Sequence, residues 1–322
     1  QMCIRDRRVA ALRIEEARAL YNIQSADLLP TLNANATGSR ARVPASISNT
    51  GSSVVTSNYQ VGLGLAAFEL DFFGRVRSLS DAALASYLST EEAQRAAQIS
   101  LVSEVAKAYL SERSFAEQEE LSRQTYESRA QAYKLSKQRF DVGASSALDL
   151  RNDEALMQTA RASELAAMRQ RAQAMNALTL LVGQPLKDLP PAQPLSAQNI
   201  LTDIPAGLPS DLLTQRPDIR SAEQTLLSAN ANIGAARAAF FPRISLTAGL
   251  GTSSNELSGL FEGGSRSWSF APQLVLPIFD AGRNRANLTL TEVRKNIAVA
   301  NYEKSIQVAF REVSDACLLY TS

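Results

Sequence analysis

The sequence predicts a mixed α and β membrane protein in which long antiparallel helical hairpins adjoin four membrane-crossing strands. Three observations predict this fold class. Residues 75–182 contain no proline and a single glycine, Gly143, so they should form two long helices. Four other segments alternate between polar and apolar residues, as strands with two different faces do. The order helix, strand, loop, strand, long helix occurs twice, which indicates a tandem internal repeat.

The composition excludes most catalytic chemistry. The 322 residues are 45% hydrophobic and 20% charged, which suits one or two folded domains, and the net charge of +1 gives no general attraction for nucleic acid. Histidine is absent, and Cys3 and Cys317 are the only cysteines. Zinc sites and histidine-based acid–base catalysis therefore lack their parts. We predict that the protein is not an enzyme and that it holds no cofactor or metal ion.

The first repeat is predicted to span residues 8–182. Its elements are a helix that Pro30 ends, two membrane strands at 31–43 and 58–73, and a helical hairpin at 75–182 with its tip at 140–149. At the tip, Gly143 can supply a left-handed turn, and Ser145 or Ser146 can cap the returning helix. Apolar residues at the spacing of a coiled-coil seam are Ile99, Val102, Ala106 and Tyr109 in the first arm and Leu165, Met168, Ala172 and Met175 in the second.

A proline-rich connector at 183–216 separates the repeats. The second repeat is predicted at 217–316, with Pro217 at the first position of its helix, strands at 243–254 and 266–279, and the start of a long helix at 283–316. Pro242 corresponds to Pro30 of the first repeat, and Gly282 corresponds to Gly74. By this correspondence the second helical tip falls beyond Ser322, so the second hairpin is expected to be incomplete.

The four strands have the length and pattern of membrane β-strands. Each has about ten alternating residues, with one apolar face and one face of Asn, Ser, Thr, Gln and Gly. Aromatic residues at the strand ends are candidates for the two aromatic girdles of a barrel: Tyr59, Phe72, Phe73, Phe240, Phe241, Trp268 and Phe279. Four strands cannot close a barrel, which needs at least about eight, so two, three or four copies of the chain would have to assemble.

Two stretches resemble a known family. Residues 212–223, LLTQRPDIRSAE, resemble the signature of TolC-like outer-membrane efflux proteins of the OprM/NodT branch, and residues 229–242 continue in the manner of that family. The signature residues are Arg216, Pro217, Asp218, Ala222, Glu223 and Pro242. The resemblance covers residues from about 10 to 316. Relatives have a signal peptide and, in this branch, a lipidated cysteine; neither is recognised here. Residues 1–7 and 317–322 fit neither the repeat nor the family and are expected to be non-native ends of a truncated fragment.

The resemblance implies a homotrimer in the outer membrane of a Gram-negative bacterium that extends into the periplasm. It implies a passive exit duct of a tripartite efflux pump, which receives drugs or other small molecules from an inner-membrane resistance–nodulation–division transporter through a periplasmic adaptor (membrane fusion) protein. The barrel would contact outer-membrane lipid. The adaptor would dock at the helical tip, at Arg139, Val142, Gly143 and Ser145. Two alternatives stay open: the outer-membrane duct of a type I protein secretion system, and a soluble coiled-coil scaffold.

Overall fold

The computed structural model describes residues 2–48, 51–186, 193–197 and 215–321, so most of the predicted connector at 183–216 lies outside the described residues. The helices are α1 (Met2–Ala26), α2 (Arg75–Asp141), α3 (Ala147–Val182), α4 (Pro217–Ala238) and α5 (Arg283–Thr321). The strands are β1 (Leu32–Val43), β2 (Val54–Glu69), β3 (Arg243–Ser254) and β4 (Arg266–Val275). Short 3₁₀ helices lie at Leu195–Ala197 and Ser258–Phe261. The described part of the chain thus contains every element type of the predicted repeat.

The four strands form one antiparallel sheet in the order β1-β2-β3-β4. β2 begins and ends four residues earlier than the predicted 58–73. It starts at Val54 because that residue pairs with Val43. It ends at Glu69 because the chain then turns, and the Phe72 N–H donates a hydrogen bond to the Leu70 carbonyl oxygen. β4 ends before the predicted residue 279, since its last partner on β3 is Arg243. β1 and β4 are the two edges of the sheet.

A β-bulge that the alternation did not reveal interrupts β2. The pairing of β2 with β3 shifts between Leu65 and Phe68, and Ala67 has a positive φ of 45°. The backbone N–H of Ala67 donates a hydrogen bond to the Thr247 hydroxyl at 3.3 Å, which gives the displaced amide a partner. The bulge keeps Phe68 on the same face as Leu65, because an extra residue resets the alternation.

Packing divides the chain into two compact units, one of residues 1–13 and 93–210 and the other of residues 14–92 and 211–322. In the first unit, charged side chains link the arms of the hairpin. Glu112 is fully buried and accepts a hydrogen bond at 3.2 Å from Arg171, which also donates to Glu119 at 3.1 Å. Arg113 forms a further ion pair with Glu112.

The residues predicted as a coiled-coil seam are not what the hairpin buries. Ile99, Val102, Leu165 and Met168 are 46–63% exposed in the single chain. The buried positions of α3 are instead Ala160, Glu164, Ala167 and Leu178. The seam spacing therefore marks an apolar face that α2 and α3 do not cover for one another. Such a face needs a partner from elsewhere.

In the second unit, small and hydroxylated residues connect α2 with α4. The Ser89 hydroxyl lies 3.0 Å from that of Ser221 and 2.9 Å from that of Thr225, and Ser228 donates to the Ala82 carbonyl at 2.8 Å. α4 begins as predicted, with Pro217 in its first turn. No helix within the described residues is long and apolar enough to cross a membrane.

Candidate functional site

The strand register separates the sheet into an apolar face and a polar face. Residues that pair directly across strands share a face, and alternate residues along a strand share a face. From the helix side to the middle of the strands, the apolar face consists of Leu32, Ala34, Ala36 and Gly38 of β1, Tyr59, Val61, Leu63, Leu65 and Phe68 of β2, Ile244, Leu246, Ala248 and Leu250 of β3, and Trp268, Phe270, Pro272 and Leu274 of β4. The other residues of this face lie nearer the loops. Trp268, Leu250 and Leu274 are each at least 61% exposed. Soluble proteins rarely leave a continuous apolar surface of this size uncovered.

The opposite, polar face carries amide, hydroxyl and glycine positions. They include Asn33, Asn35 and Thr37 of β1, Gln60, Gly62 and Gly64 of β2, Gly249, Gly251 and Ser253 of β3, and Ser267, Ser269 and Gln273 of β4. Gly62 and Gly251 pair directly, and a Cβ on Gly62 would lie 2.7 Å from the Leu250 carbonyl oxygen. Glycine is therefore required where these two backbones approach each other.

An ion cluster that the sequence did not single out lies at the helix end of the polar face. Arg75 donates two hydrogen bonds to Glu69, each of 2.7 Å, in the bidentate geometry of a guanidinium with a carboxylate. Arg243 lies 3.3 Å from the same carboxylate. Glu69 and Arg243 are the only charged residues of the four strands on this face. The sequence does not reveal this cluster, because Glu69 and Arg243 come together only when β2 pairs with β3.

Six of the seven predicted aromatic residues are exposed and lie near the strand ends, whereas Tyr59 is half-buried and lies within β2. Two of the seven touch. Phe73 and Phe241 stack with ring centroids 4.8 Å apart and planes 12° apart. The Tyr59 ring packs over Gly38 of the neighbouring strand. Exposure is high for Phe72, Trp268 and Phe279 and lower for Phe73, Phe240 and Phe241. Their arrangement in two girdles stays a prediction.

The helical tip is a rigid turn with exposed apolar side chains. Gly143 has φ +75°, and the amides of Gly143 and Ala144 donate to the carbonyls of Phe140 and Arg139, the pair of bonds that defines a Schellman motif. Ser146 caps α3 in a capping box with Asp149, which resolves the two alternatives for the cap. Val142 is 78% exposed. Arg139 is exposed beside it, and Ser145 is half-buried.

The signature residues fix the start of α4 against α5. Arg216 donates two hydrogen bonds to Asp218, of 2.9 and 2.6 Å, and one of 2.7 Å to Glu312 of α5. These bonds from Arg216 lower the pKa of Asp218. Ile219, the residue after Asp218, is fully buried. Ala222 is half-buried, Glu223 is exposed, and Pro242 directly precedes β3. The signature thus has a structural function in joining two helices, and none of its side chains forms a metal site within the described residues.

The two-faced sheet with its exposed apolar side chains defines a membrane protein. A family model for outer membrane efflux proteins matches residues 5–184 and 208–321, so the chain belongs to the outer membrane efflux protein family. The chain is 56% identical to the outer membrane protein OprJ of Pseudomonas aeruginosa over 313 residues, which cover 97% of this chain and 65% of OprJ. It is 53% identical to the solvent efflux pump outer membrane protein SrpC of Pseudomonas putida over 312 residues, 97% of this chain and 66% of SrpC.

A solved structure has the same fold. The crystal structure of a membrane protein from Pseudomonas aeruginosa aligns with a TM-score of 0.94 at 55% identity, over 98% of this chain and 73% of that chain. The chain spans about two thirds of the length of the curated relatives it matches. These comparisons confirm the predicted family, the fold class, the outer-membrane location and the prediction that the chain is not an enzyme. Membership of this family removes the case for a soluble scaffold.

Proposed function

We propose that the complete protein is the outer-membrane exit duct of a tripartite efflux pump. It would conduct small molecules passively from the periplasmic side to the outside as a homotrimer, with each protomer contributing four strands to one barrel. A periplasmic adaptor and an inner-membrane transporter of the resistance–nodulation–division class would deliver the molecules. Because the relative SrpC is named as part of a solvent efflux pump and the relative ArpC as part of an antibiotic efflux pump, solvents and drugs are the proposed substrate class.

The two-faced sheet with free edges carries this proposal. Its apolar face has an exposed large side chain on every strand: Leu32, Leu63, Leu250 and Trp268. Its opposite face is polar, the arrangement that suits lipid outside and water inside. β1 and β4 have no partner on their outer sides within the described residues. In lipid each unpaired backbone group costs several kcal/mol, so β1 must pair with β4 of another copy. A closed ring of copies satisfies both edges of every protomer, and we propose a ring of three.

The exposed tip suits a protein partner. Val142 and Leu148 are large apolar side chains on a turn whose backbone is held by the Schellman motif and the capping box. A preformed apolar surface of this kind loses little conformational entropy on binding. We assign adaptor docking to Arg139, Val142, Gly143 and Ser145. The aromatic residues at the strand ends would lie at the two boundaries between lipid headgroups and water.

Reconstitution of the complete protein tests the proposal. Purified in detergent, it should be a stable trimer, and in planar lipid bilayers it should produce steps of ion conductance. Deletion of its gene should sensitise the host to drugs, and expression of the intact gene should restore resistance. A monomer with full helical content and no conductance would contradict the barrel. Rescue of protein secretion but not of drug resistance would favour the type I secretion duct instead.

A further inference from the structure

The apolar face of the sheet ends in three arginines at its loop side. Arg40 and Arg42 of β1 and Arg266 of β4 share the face of Tyr59 and Trp268, because Arg40 pairs with Ser57, Arg42 with Val55 and Arg266 with Thr252. All three side chains are exposed. Among the strand residues of this face, all of which the structure describes, no other side chain is charged. We call Arg40, Arg42 and Arg266 the arginine band.

Each hairpin has an arginine on the loop side of an aromatic residue of the same face. Gly38 pairs with Tyr59, and Arg40 lies two residues nearer the first loop. Arg266 likewise lies two residues nearer the second loop than Trp268. Residues two apart on a strand are neighbours on one face, about 7 Å apart. An arginine on the loop side of an aromatic residue therefore occurs in both hairpins, across two paired strands in the first and along one strand in the second.

The arginine band has no carboxylate partner within the described residues. Arg42 donates one hydrogen bond of 3.2 Å to the Ser53 hydroxyl, and neither Arg40 nor Arg266 is in an ion pair there. The second loop holds two carboxylates, Glu256 and Glu262, and neither is paired with the band. Unpaired cations at the border of a lipid-facing surface are costly unless their heads reach a polar layer of opposite charge.

The helix side of the same face has no such charge. There the strands end in Leu32, Phe68, Ile244 and Leu274. The two charged residues of the opposite face, Glu69 and Arg243, are paired with each other. The apolar face is therefore bordered by arginines on its loop side and by no charged residue on its helix side. This difference indicates a ligand that is present only on the loop side.

We propose that the arginine band binds the phosphate groups of lipid A, the lipopolysaccharide anchor in the outer leaflet of the outer membrane. The proposal rests on the membrane placement in the proposed function, which puts the loops outside. Guanidinium groups form bidentate hydrogen bonds with phosphate, and the neighbouring Tyr59 and Trp268 suit the depth of the headgroups. In a trimer the band would occur three times around the barrel.

Binding of lipid A to the complete trimer in phosphatidylethanolamine nanodiscs tests the proposal. The probes are bisphosphorylated lipid A and the same lipid without its phosphates. The wild-type protein should prefer the phosphorylated lipid, and the triple variant Arg40→Gln, Arg42→Gln, Arg266→Gln should lose this preference, by about fivefold in affinity for each arginine. Equal affinity of the wild-type protein for both lipids would overturn the proposal. So would an unchanged preference in the triple variant.

Two further measurements separate this proposal from others. The control Arg169→Gln removes one exposed charge from α3, outside the sheet, and should leave binding unchanged. Inorganic phosphate should not displace lipid A at millimolar concentration; if it does, the band is a simple anion site and the proposal fails. If the triple variant does not assemble, the comparison of the two lipids on the wild-type protein still decides. If the protein conducts ions but does not bind lipid A, the lipid A proposal fails and the proposed function stands. If the protein does not conduct ions, the proposed function as an exit duct fails.

Discussion

The helical hairpin and the β-sheet of this chain differ in where their backbone N–H and C=O groups find hydrogen-bond partners. In α2 and α3 the backbone hydrogen bonds lie within each helix, and the side chains of Glu112, Arg171 and Glu119 then link the two arms. In the sheet the ladder bonds are satisfied between strands, and β1 and β4 each keep one unpaired side within the described residues. The backbone of a helix thus needs no second segment, whereas the two edge strands of the sheet need a partner for their backbones, which the proposed trimer would supply. Substitutions in the sheet should therefore act on assembly, and substitutions in the hairpin on local stability or docking.

The largest effect is expected from Gly62→Val in the sheet. A Cβ at this position would meet the Leu250 carbonyl oxygen at 2.7 Å and the Gly251 Cα at 2.9 Å, so β2 and β3 would have to separate. Overpacking of this kind costs about 1–3 kcal/mol per site, and the proposed trimer would repeat it in every protomer. We expect loss of the heat-resistant trimer on semi-native gels. Gly263→Ala, where nothing lies within 4 Å, is the matched control and should assemble normally. A normal trimer from Gly62→Val would show that the close approach is not required.

An effect on thermal stability, with assembly retained, is expected from Glu112→Ala in the hairpin. The substitution leaves Arg113 and Arg171 without their buried partner, and breaking a buried ion pair costs about 3 kcal/mol. Because Arg171 is 39% exposed and keeps Glu119, the loss should fall at or below this value. Thermal unfolding followed by circular dichroism should show the lower midpoint while the trimer persists. Glu120→Ala, which removes an exposed pair with Arg123, should change the midpoint little.

Gly143→Pro should abolish drug export and leave the trimer intact. Proline fixes φ near −65°, whereas Gly143 requires +75°, so the Schellman turn cannot form. We expect drug susceptibility equal to that of a strain without the gene, with normal amounts of protein in the outer membrane. Gly143→Asn keeps the left-handed turn accessible and should preserve most export. Full resistance with Gly143→Pro would remove the tip from the adaptor interface.

The sequence predicted the fold because its main features are local. The absence of proline in 75–182 predicts the hairpin, and alternation predicts the strands, with 243–254 matching β3 at both ends. The bulge at Ala67 was missed, because it depends on pairing with Thr247, far along the chain. The seam prediction was wrong about what the hairpin buries, since spacing identifies an apolar face but not its partner. The ion cluster of Glu69, Arg75 and Arg243 and the arginine band likewise appear only once the register is known.

The smallest effect is expected at the signature residues, where Arg216→Gln should weaken the link between α4 and α5. The bonds from Arg216 lower the pKa of Asp218 below its unfolded value, so their stabilisation is present above about pH 4 and is lost as the pH falls through the folded pKa. Asp218 and Glu312 are 38% and 50% exposed, and pairs as exposed as these contribute about 0.5–1 kcal/mol. Arg216→Gln should therefore lower the unfolding midpoint slightly at pH 7, and the difference from the wild-type protein should shrink below pH 3. Arg237→Gln, an exposed arginine in the last turn of α4, is the control for the lost charge. A difference that stays constant with pH would mean that Arg216 acts through packing rather than through its carboxylate partners.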